Sequence, residues 1–203
     1  MEKSFWESRY TEDGFAYGTE PNAFLVSLQS RFTPGQTVLL IGEGEGRNGV
    51  WLAGQGLQVT AVDQSEAGLA KAQQLAQAAG VSLQTVCADL AEWQWPVAEY
   101  DYVISIFVHF KAGHRRQIHR ACLAALKPGG SIILEAFTPE QLEYPSGGPP
   151  VAEMLFTEQV LREDFAGADI ERLESLETHL AEGKYHRGPA AVVRLIATRR
   201  RAD

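Results

Sequence analysis

The sequence predicts an α/β layered fold, a mainly parallel sheet that ends in an antiparallel C-terminal hairpin. Three observations carry this. Short apolar runs alternate with segments of helical periodicity between residues 37 and 137. A glycine-rich loop, Ile41-Gly42-Glu43-Gly44-Glu45-Gly46-Arg47-Asn48-Gly49, follows the first run, where open α/β sheets bind ligands. The last two apolar runs are joined by a connection too short for a crossover helix, which requires antiparallel pairing.

Each element follows from local chemistry. Residues 37–41 (TVLLI) read as a buried strand, and residues 48–53 as a short helix after the loop. Residues 58–62 are the second strand. Ser65 is placed to cap the next helix, which carries Leu69, Ala72, Leu75, Ala76 and Ala79 at helical spacing and stops at Gly80. Residues 82–87 and 100–107 are the third and fourth strands. Residues 114–126 hold Ile118, Ala121, Cys122, Ala125 and Leu126 on one helical face. Pro128-Gly129-Gly130 should end that helix and turn the chain into the fifth strand, residues 131–137. Strands separated by helices pair in parallel through right-handed crossovers. Residues 144–150 form a surface loop on the ligand side of such a fold. Thr157 caps a helix through Val160, Leu161 and Phe165, and residues 170–180 and 190–198 make the closing hairpin.

Composition bounds the partners. The chain has 203 residues, enough for one domain, and is 45% hydrophobic and 22% charged, as soluble globular proteins are. Its net charge of -8 argues against a nucleic-acid partner, whose binders present a basic surface. The run Arg199-Arg200-Arg201 reads as a solvated end to the last strand. Cys87 and Cys122 are not in a Cys-x-x-Cys pair, and no Cys/His cluster has zinc-ligand spacing, so reduced thiols and no metal are expected. The N-terminal stretch MEKSFWESRYTED is polar and mixed in charge, unlike a signal or transit peptide. No apolar run approaches the ~18 residues of a membrane span. A cytoplasmic protein with no membrane partner is expected. No sequence feature bears on its oligomeric state.

The glycine loop admits two patterns. Gly44-x-Gly46-x-x-Gly49 satisfies the dinucleotide pattern, and Gly42-x-Gly44-x-Gly46 fits a different one equally well. Asp63, ending the second strand, suits ribose hydroxyls in either case. Charge separates them. A pyrophosphate seeks backbone N–H groups and a helix dipole, and Glu43 and Glu45 would repel it. S-Adenosylmethionine has no phosphate, carries a cationic sulfonium and α-ammonium, and has one carboxylate. Glutamates favour its cations, while N–H groups near Gly44 and Gly46 are placed to receive its carboxylate. The alternative is that both glutamates face solvent. In Ala88-Asp89-Leu90, after the third strand, Asp89 is placed to accept from an adenine amino group and the Leu90 N–H to meet a ring nitrogen. Asp89 could equally serve only a turn.

These residues resemble a known family. Residues 38–46, Val62-Asp63-Gln64-Ser65, Ala88-Asp89-Leu90, residues 100–106 and Leu126-Lys127-Pro128-Gly129-Gly130 resemble the class I S-adenosylmethionine-dependent methyltransferases, in the family's order and over about half the chain. Phe5-Trp6-Glu7-Ser8-Arg9-Tyr10, Tyr17-Gly18-Thr19-Glu20-Pro21-Asn22, Gly44-Glu45-Gly46-Arg47-Asn48 and Glu182-Gly183-Lys184-Tyr185-His186-Arg187-Gly188 resemble its tellurite-resistance methyltransferase-like branch. The resemblance implies a Rossmann-like three-layer sandwich, with a seven-stranded sheet whose last strand is antiparallel. It implies S-adenosyl-L-methionine as cofactor, with S-adenosyl-L-homocysteine as product. The implied cofactor set is Gly42, Glu43, Gly44, Gly46, Asn48, Asp63, Gln64, Ser65, Ala88, Asp89, Leu90 and Ile106. The implied organisation is one domain over residues 1–203: a lid-like segment 1–30, a cofactor-binding core 37–137 and an acceptor-side region 138–203. The chain departs from the class at Leu40, where an acid is usual, and at Glu43, where near members often have cysteine. Glu43 is expected to supply the carboxylate that Leu40 lacks, toward the ligand's cationic side.

The implied reaction is methyl transfer to a small-molecule acceptor, a thiol or chalcogen oxyanion being the natural soft nucleophile. Holding the reacting atoms in line is the main task, and a base is needed only for a protonated acceptor. His109, after the fourth strand, and His186 in the hairpin turn are the candidates, with Arg187 as a clamp for an anionic acceptor. Phe5, Trp6, Tyr10 and Tyr17 either close over the ligand or pack the first helix onto the sheet. Two other classes remain open: an NAD(P)-dependent oxidoreductase, on Gly44-x-Gly46-x-x-Gly49 and Asp63, and a non-catalytic S-adenosylmethionine-binding protein, on Leu40.

Overall fold

The predicted alternation is realised as a seven-stranded sheet with helices on both faces. The computed structural model describes residues 3–201, so residues 1, 2, 202 and 203 of the predicted domain lie outside the described residues. In chain order the strands are β1 (Thr37–Ile41), β2 (Gln58–Asp63), β3 (Gln84–Cys87), β4 (Tyr100–Ile106), β5 (Leu126–Phe137), β6 (Ala168–Glu182) and β7 (His186–Arg199). Their order across the sheet is β3-β2-β1-β4-β5-β7-β6. The first five pair in parallel, and β7 runs antiparallel to both β5 and β6, as the short connection requires.

Strand β1 explains the two-sided core. Leu39 and Ile41 point into one apolar layer, Val38 and Leu40 into the other, as a central parallel strand covered on both faces demands. The helices are α1 (Lys3–Tyr10), α2 (Ala23–Ser27), α3 (Arg47–Gly54), α4 (Glu66–Ala79), α5 (Ala112–Ala125) and α6 (Glu158–Asp164). Ile118 and Cys122 of α5, with Leu161 of α6, fill the first layer; Phe24 of α2, Leu52 of α3 and Ala72 of α4 fill the second. Helix α1 belongs to neither layer and rests against α4. Ser65 and Thr157 cap α4 and α6 through their hydroxyls, and Gly80 ends α4 in the left-handed region at φ 69°.

Two boundaries moved. Pro128-Gly129-Gly130 does not stop a helix ahead of the fifth strand. Strand β5 already begins at Leu126, and the segment bulges between the pairs Tyr100↔Leu126 and Tyr102↔Ser131. A Cβ on Gly130 would lie 2.9 Å from the Asp101 carbonyl oxygen, so only glycine fits there. The hairpin also runs further than its apolar core, leaving a turn of residues 183–185. No helix among the described residues is long and apolar enough to cross a membrane.

Candidate functional site

The C-terminal ends of the parallel strands open into a cleft of about 930 Å³. The glycine loop forms one wall. Gly42, Gly44 and Gly46 all have positive φ, and Gly46 must be glycine because a Cβ would lie 2.6 Å from Ala72 of α4. Neither loop glutamate faces solvent, since Glu43 is 8% and Glu45 5% exposed. Glu43 turns inward, and its Oε1 accepts from the Gly49 N–H at 2.6 Å, capping α3 in place of the side chain that Gly46 lacks. Its carboxylate arrives beside Val59, in the apolar layer that holds Leu40. Burial lifts its pKa to about 7 against the Gly49 N–H and the Arg47 charge. Glu45 Oε2 accepts from the Ala16 N–H at 2.7 Å, and Oε1 pairs with Lys71 Nζ at 2.9 Å.

Three of the loop's donors, those of Gly44, Gly46 and Gly49, are therefore spent within the protein. The Gly44 N–H goes to Asp63 Oδ2 at 2.9 Å, that of Gly46 to the Glu43 carbonyl and that of Gly49 to the Glu43 carboxylate. A pyrophosphate would find no such cradle, which disfavours a dinucleotide. What this end of the cleft offers is acceptors. Asp63 holds the Gly44 and Ser65 N–H groups and keeps further lone pairs, and burial raises its pKa to about 6. Asp89 uses Oδ1 on the Ala91 N–H, closing a turn, and has Oδ2 to spare. Gln64, Ala88, Leu90 and Ile106 line the same space. A nucleoside with hydroxyl and amino donors and no phosphate fits this set.

The other end of the cleft is aromatic. His186 is buried among the rings of Tyr17, Phe107 and Phe137, at 4.5, 4.8 and 5.2 Å between centroids. Phe107 holds φ at 55°, a strained value for a bulky residue, and lines the cleft. His186 Nδ1 lies 3.4 Å from Glu182 Oε2, which also takes Arg47 Nη2 at 2.8 Å. Burial lowers the His186 pKa although Glu182 opposes it. Burial acts to raise that of Glu182, but His186 and Arg47 prevail and hold it at about 2. Neutral imidazole therefore faces an ionised carboxylate. Among the described residues, no group hydrogen-bonds His186 Nε2.

Comparison with known proteins sharpens the picture. Residues 38–130 match a family described as a methyltransferase domain. That match takes in the glycine loop, Asp63 and residues 88–90. No curated protein matches its sequence. Solved structures share the fold at low identity. One, from work on the conversion of a disulfide bond into a thioacetal group during echinomycin biosynthesis, is 18% identical with a TM-score of 0.77, covering 99% of this chain and 93% of that one. TehB from Haemophilus influenzae is 19% identical with a TM-score of 0.70, covering 98% and 67%. Magnesium protoporphyrin IX methyltransferase from Synechocystis PCC 6803, with bound S-adenosylmethionine, is 22% identical with a TM-score of 0.64, covering 97% and 79%.

The structure brings most of the predicted residues into this one cleft: Gly42, Glu43, Asn48, Asp63, Gln64, Ile106 and His186, with residues 88–90. Others it places differently. The N–H groups of Gly44 and Gly46 are not open to a ligand carboxylate, and Tyr10 covers Gly44, its hydroxyl 2.5 Å from where a Cβ would stand. Ser65 is fully buried and spent on the α4 cap and Glu7. His109 lines the cleft, but its Nδ1 bonds the Met154 carbonyl at 2.8 Å and its Nε2 accepts from the Phe137 N–H at 3.3 Å. With both nitrogens on backbone and burial lowering its pKa to about 4, it is held here as a neutral brace. Arg187 follows an inward residue on β7, so strand alternation turns it out to solvent. Glu7, Arg9 and Glu182 lie in the flanking motifs, and no pattern in the sequence marks a role for them beyond charged residues amid aromatic ones.

Proposed function

We propose that the chain is an S-adenosylmethionine-dependent methyltransferase acting on a small molecule that bears a soft, protonated nucleophile, with a thiol as the leading class and chalcogen oxyanions next. In this reading residues 37–137 hold the cofactor, and segments 1–30 and 138–203 shape the acceptor end. The observation that carries it is the His186–Glu182 pair, whose Nε2 is uncommitted at the aromatic end of the cleft. Asp63, Gln64, Asp89 and Ile106 would hold the nucleoside part of S-adenosylmethionine. Bound there, it supplies an electrophilic methyl group on a cationic sulfur and leaves as neutral S-adenosylhomocysteine.

The chain's own groups supply positioning and one proton transfer. Glu182, ionised and fixed by Arg47, takes the Nδ1–H of His186 and so leaves the Nε2 lone pair free, beside Gly147 on the cleft wall. That lone pair receives the acceptor's S–H proton as the sulfur turns nucleophilic. Apolar and aromatic walls suit a polarisable atom and exclude water. The likeness of the flanking segments to the tellurite-resistance branch supports a soft acceptor, and one of those segments contains His186 itself.

The test is a pH–rate profile of His186→Gln with a cysteine-like alkyl thiol. At pH 7 we expect a loss of about 10² in kcat/KM, shrinking toward unity above a pH of about 8.5, where the free thiol ionises unaided. A loss independent of pH would assign His186 a packing role instead.

A further inference from the structure

We infer that Arg9 is the anion-recognising residue of the acceptor end, so that the preferred acceptor carries a carboxylate beside its nucleophile. This rests on the function proposed above and specifies its substrate class. Arg9 lines the cleft from α1. Its guanidinium carbon lies 3.7 Å from the centroid of the Tyr185 ring and 4.8 Å from that of Phe5. Nη1 donates to the Tyr17 hydroxyl at 3.3 Å. Among the described residues no carboxylate is within ion-pair distance of Arg9. Other basic groups around this space are committed: Arg47 to Glu182, Lys184 to Glu12, Lys3 to Glu66. Lys111 carries no ion pair but stands exposed, where water satisfies it. Glu12 is the near negative charge, and it is already held by Lys184 Nζ and the Tyr185 hydroxyl.

A guanidinium held by two rings and one hydroxyl has a fixed plane and several donors left. That fork matches a carboxylate through two parallel hydrogen bonds, at little cost in side-chain order. The location gives the geometry its use. Tyr17 bonds Arg9 with its hydroxyl and packs its ring on His186, and the Arg9 charge acts on His186 to lower its pKa. An acceptor whose carboxylate sits on Arg9 therefore presents its other end toward His186. In a chain of net charge -8, an anionic acceptor needs such a local cation. Arg187, which the sequence suggested for this task, points away.

The experiment compares 4-mercaptobenzoate with its carboxamide, by calorimetry on protein saturated with S-adenosylhomocysteine and by methyl-transfer kinetics. Wild type should bind the carboxylate at least about tenfold more tightly than the amide. Arg9→Gln should abolish that preference, and Arg9→Lys should retain part of it. Affinity for S-adenosylhomocysteine should stay within about threefold in both variants. No preference in wild type, or equal weakening of both thiols, overturns the inference. So does a large loss of S-adenosylhomocysteine affinity with the preference intact, which would assign Arg9 to the cofactor's own carboxylate. If Arg9→Gln fails to fold, the Arg9→Lys and wild-type comparison still decides. Arg9-dependent binding without any turnover would sustain the inference and sink the thiol reading.

Discussion

Glu43 concentrates the residue-scale logic of this site. A carboxylate in a glycine loop looks like a device for attracting a cation, yet it turns inward to cap α3. Burial raises its pKa from 4.5 to about 7, with the Gly49 N–H and Arg47 opposing. The folded value lies above the unfolded one. The stabilising contribution is therefore complete below pH 4.5 and lost as pH rises through about 7. Asp63 has the same sign, between pH 3.8 and about 6. Glu43→Gln keeps an oxygen for Gly49 and carries no charge. Relative to wild type it should be near neutral at a pH of about 4.5 and more stable at a pH of about 8, by on the order of 3 kcal/mol. Urea unfolding at both pH values checks this. An offset that ignores pH would mean that Glu43 carries its charge without cost.

At the scale of elements, the N-terminal segment is a strap between two halves of the cleft. Glu7 accepts from Ser65 Oγ and the Ala67 N–H at the start of α4. The Ala16 N–H goes to Glu45 in the glycine loop, and the Ala16 carbonyl accepts from the Lys184 N–H in the hairpin turn. Gly183 makes the turn at φ 65°, and a Cβ there would stand 2.3 Å from the Gly18 nitrogen and 2.4 Å from the Tyr17 carbonyl carbon. Backbone cannot swing aside, so Gly183→Ala should displace the strap. We expect a stability loss of about 1–3 kcal/mol and faster proteolysis within residues 11–20. Gly113→Ala, which meets nothing within 4 Å, should leave that cleavage unchanged. The strands and helices of residues 37–137 were legible because their apolar periods are local. The strap was not, because Glu7 and Ala16 find partners far along the chain and carry no periodic signal. The fate of the hairpin residues turned on register. With the turn expected over residues 181–189, inside and outside could not be assigned; once it narrows to residues 183–185, His186 falls inward and Arg187 outward.

For the whole molecule, the sheet sets where ligands meet and the spent loop decides which of them enter. One seven-stranded sheet carries the acceptors Asp63 and Asp89 on β2 and just beyond β3, and carries His186 on β7, reached only through the antiparallel hairpin. A ligand that engages Asp63 and Asp89 is therefore tied to the sheet that the whole fold is built on, and its binding energy should appear in global stability. S-Adenosylhomocysteine at one hundred times its dissociation constant adds about 2.7 kcal/mol. For a chain of this length that is a rise in Tm of roughly 5–11 °C. NADH demands a phosphate cradle, and the donors of Gly44, Gly46 and Gly49 are already engaged by Asp63 and Glu43. At equal concentration NADH should move Tm by less than about 1 °C. A comparable rise with NADH would mean that the loop gives up its internal bonds for a pyrophosphate, and the argument from spent donors would fall with it.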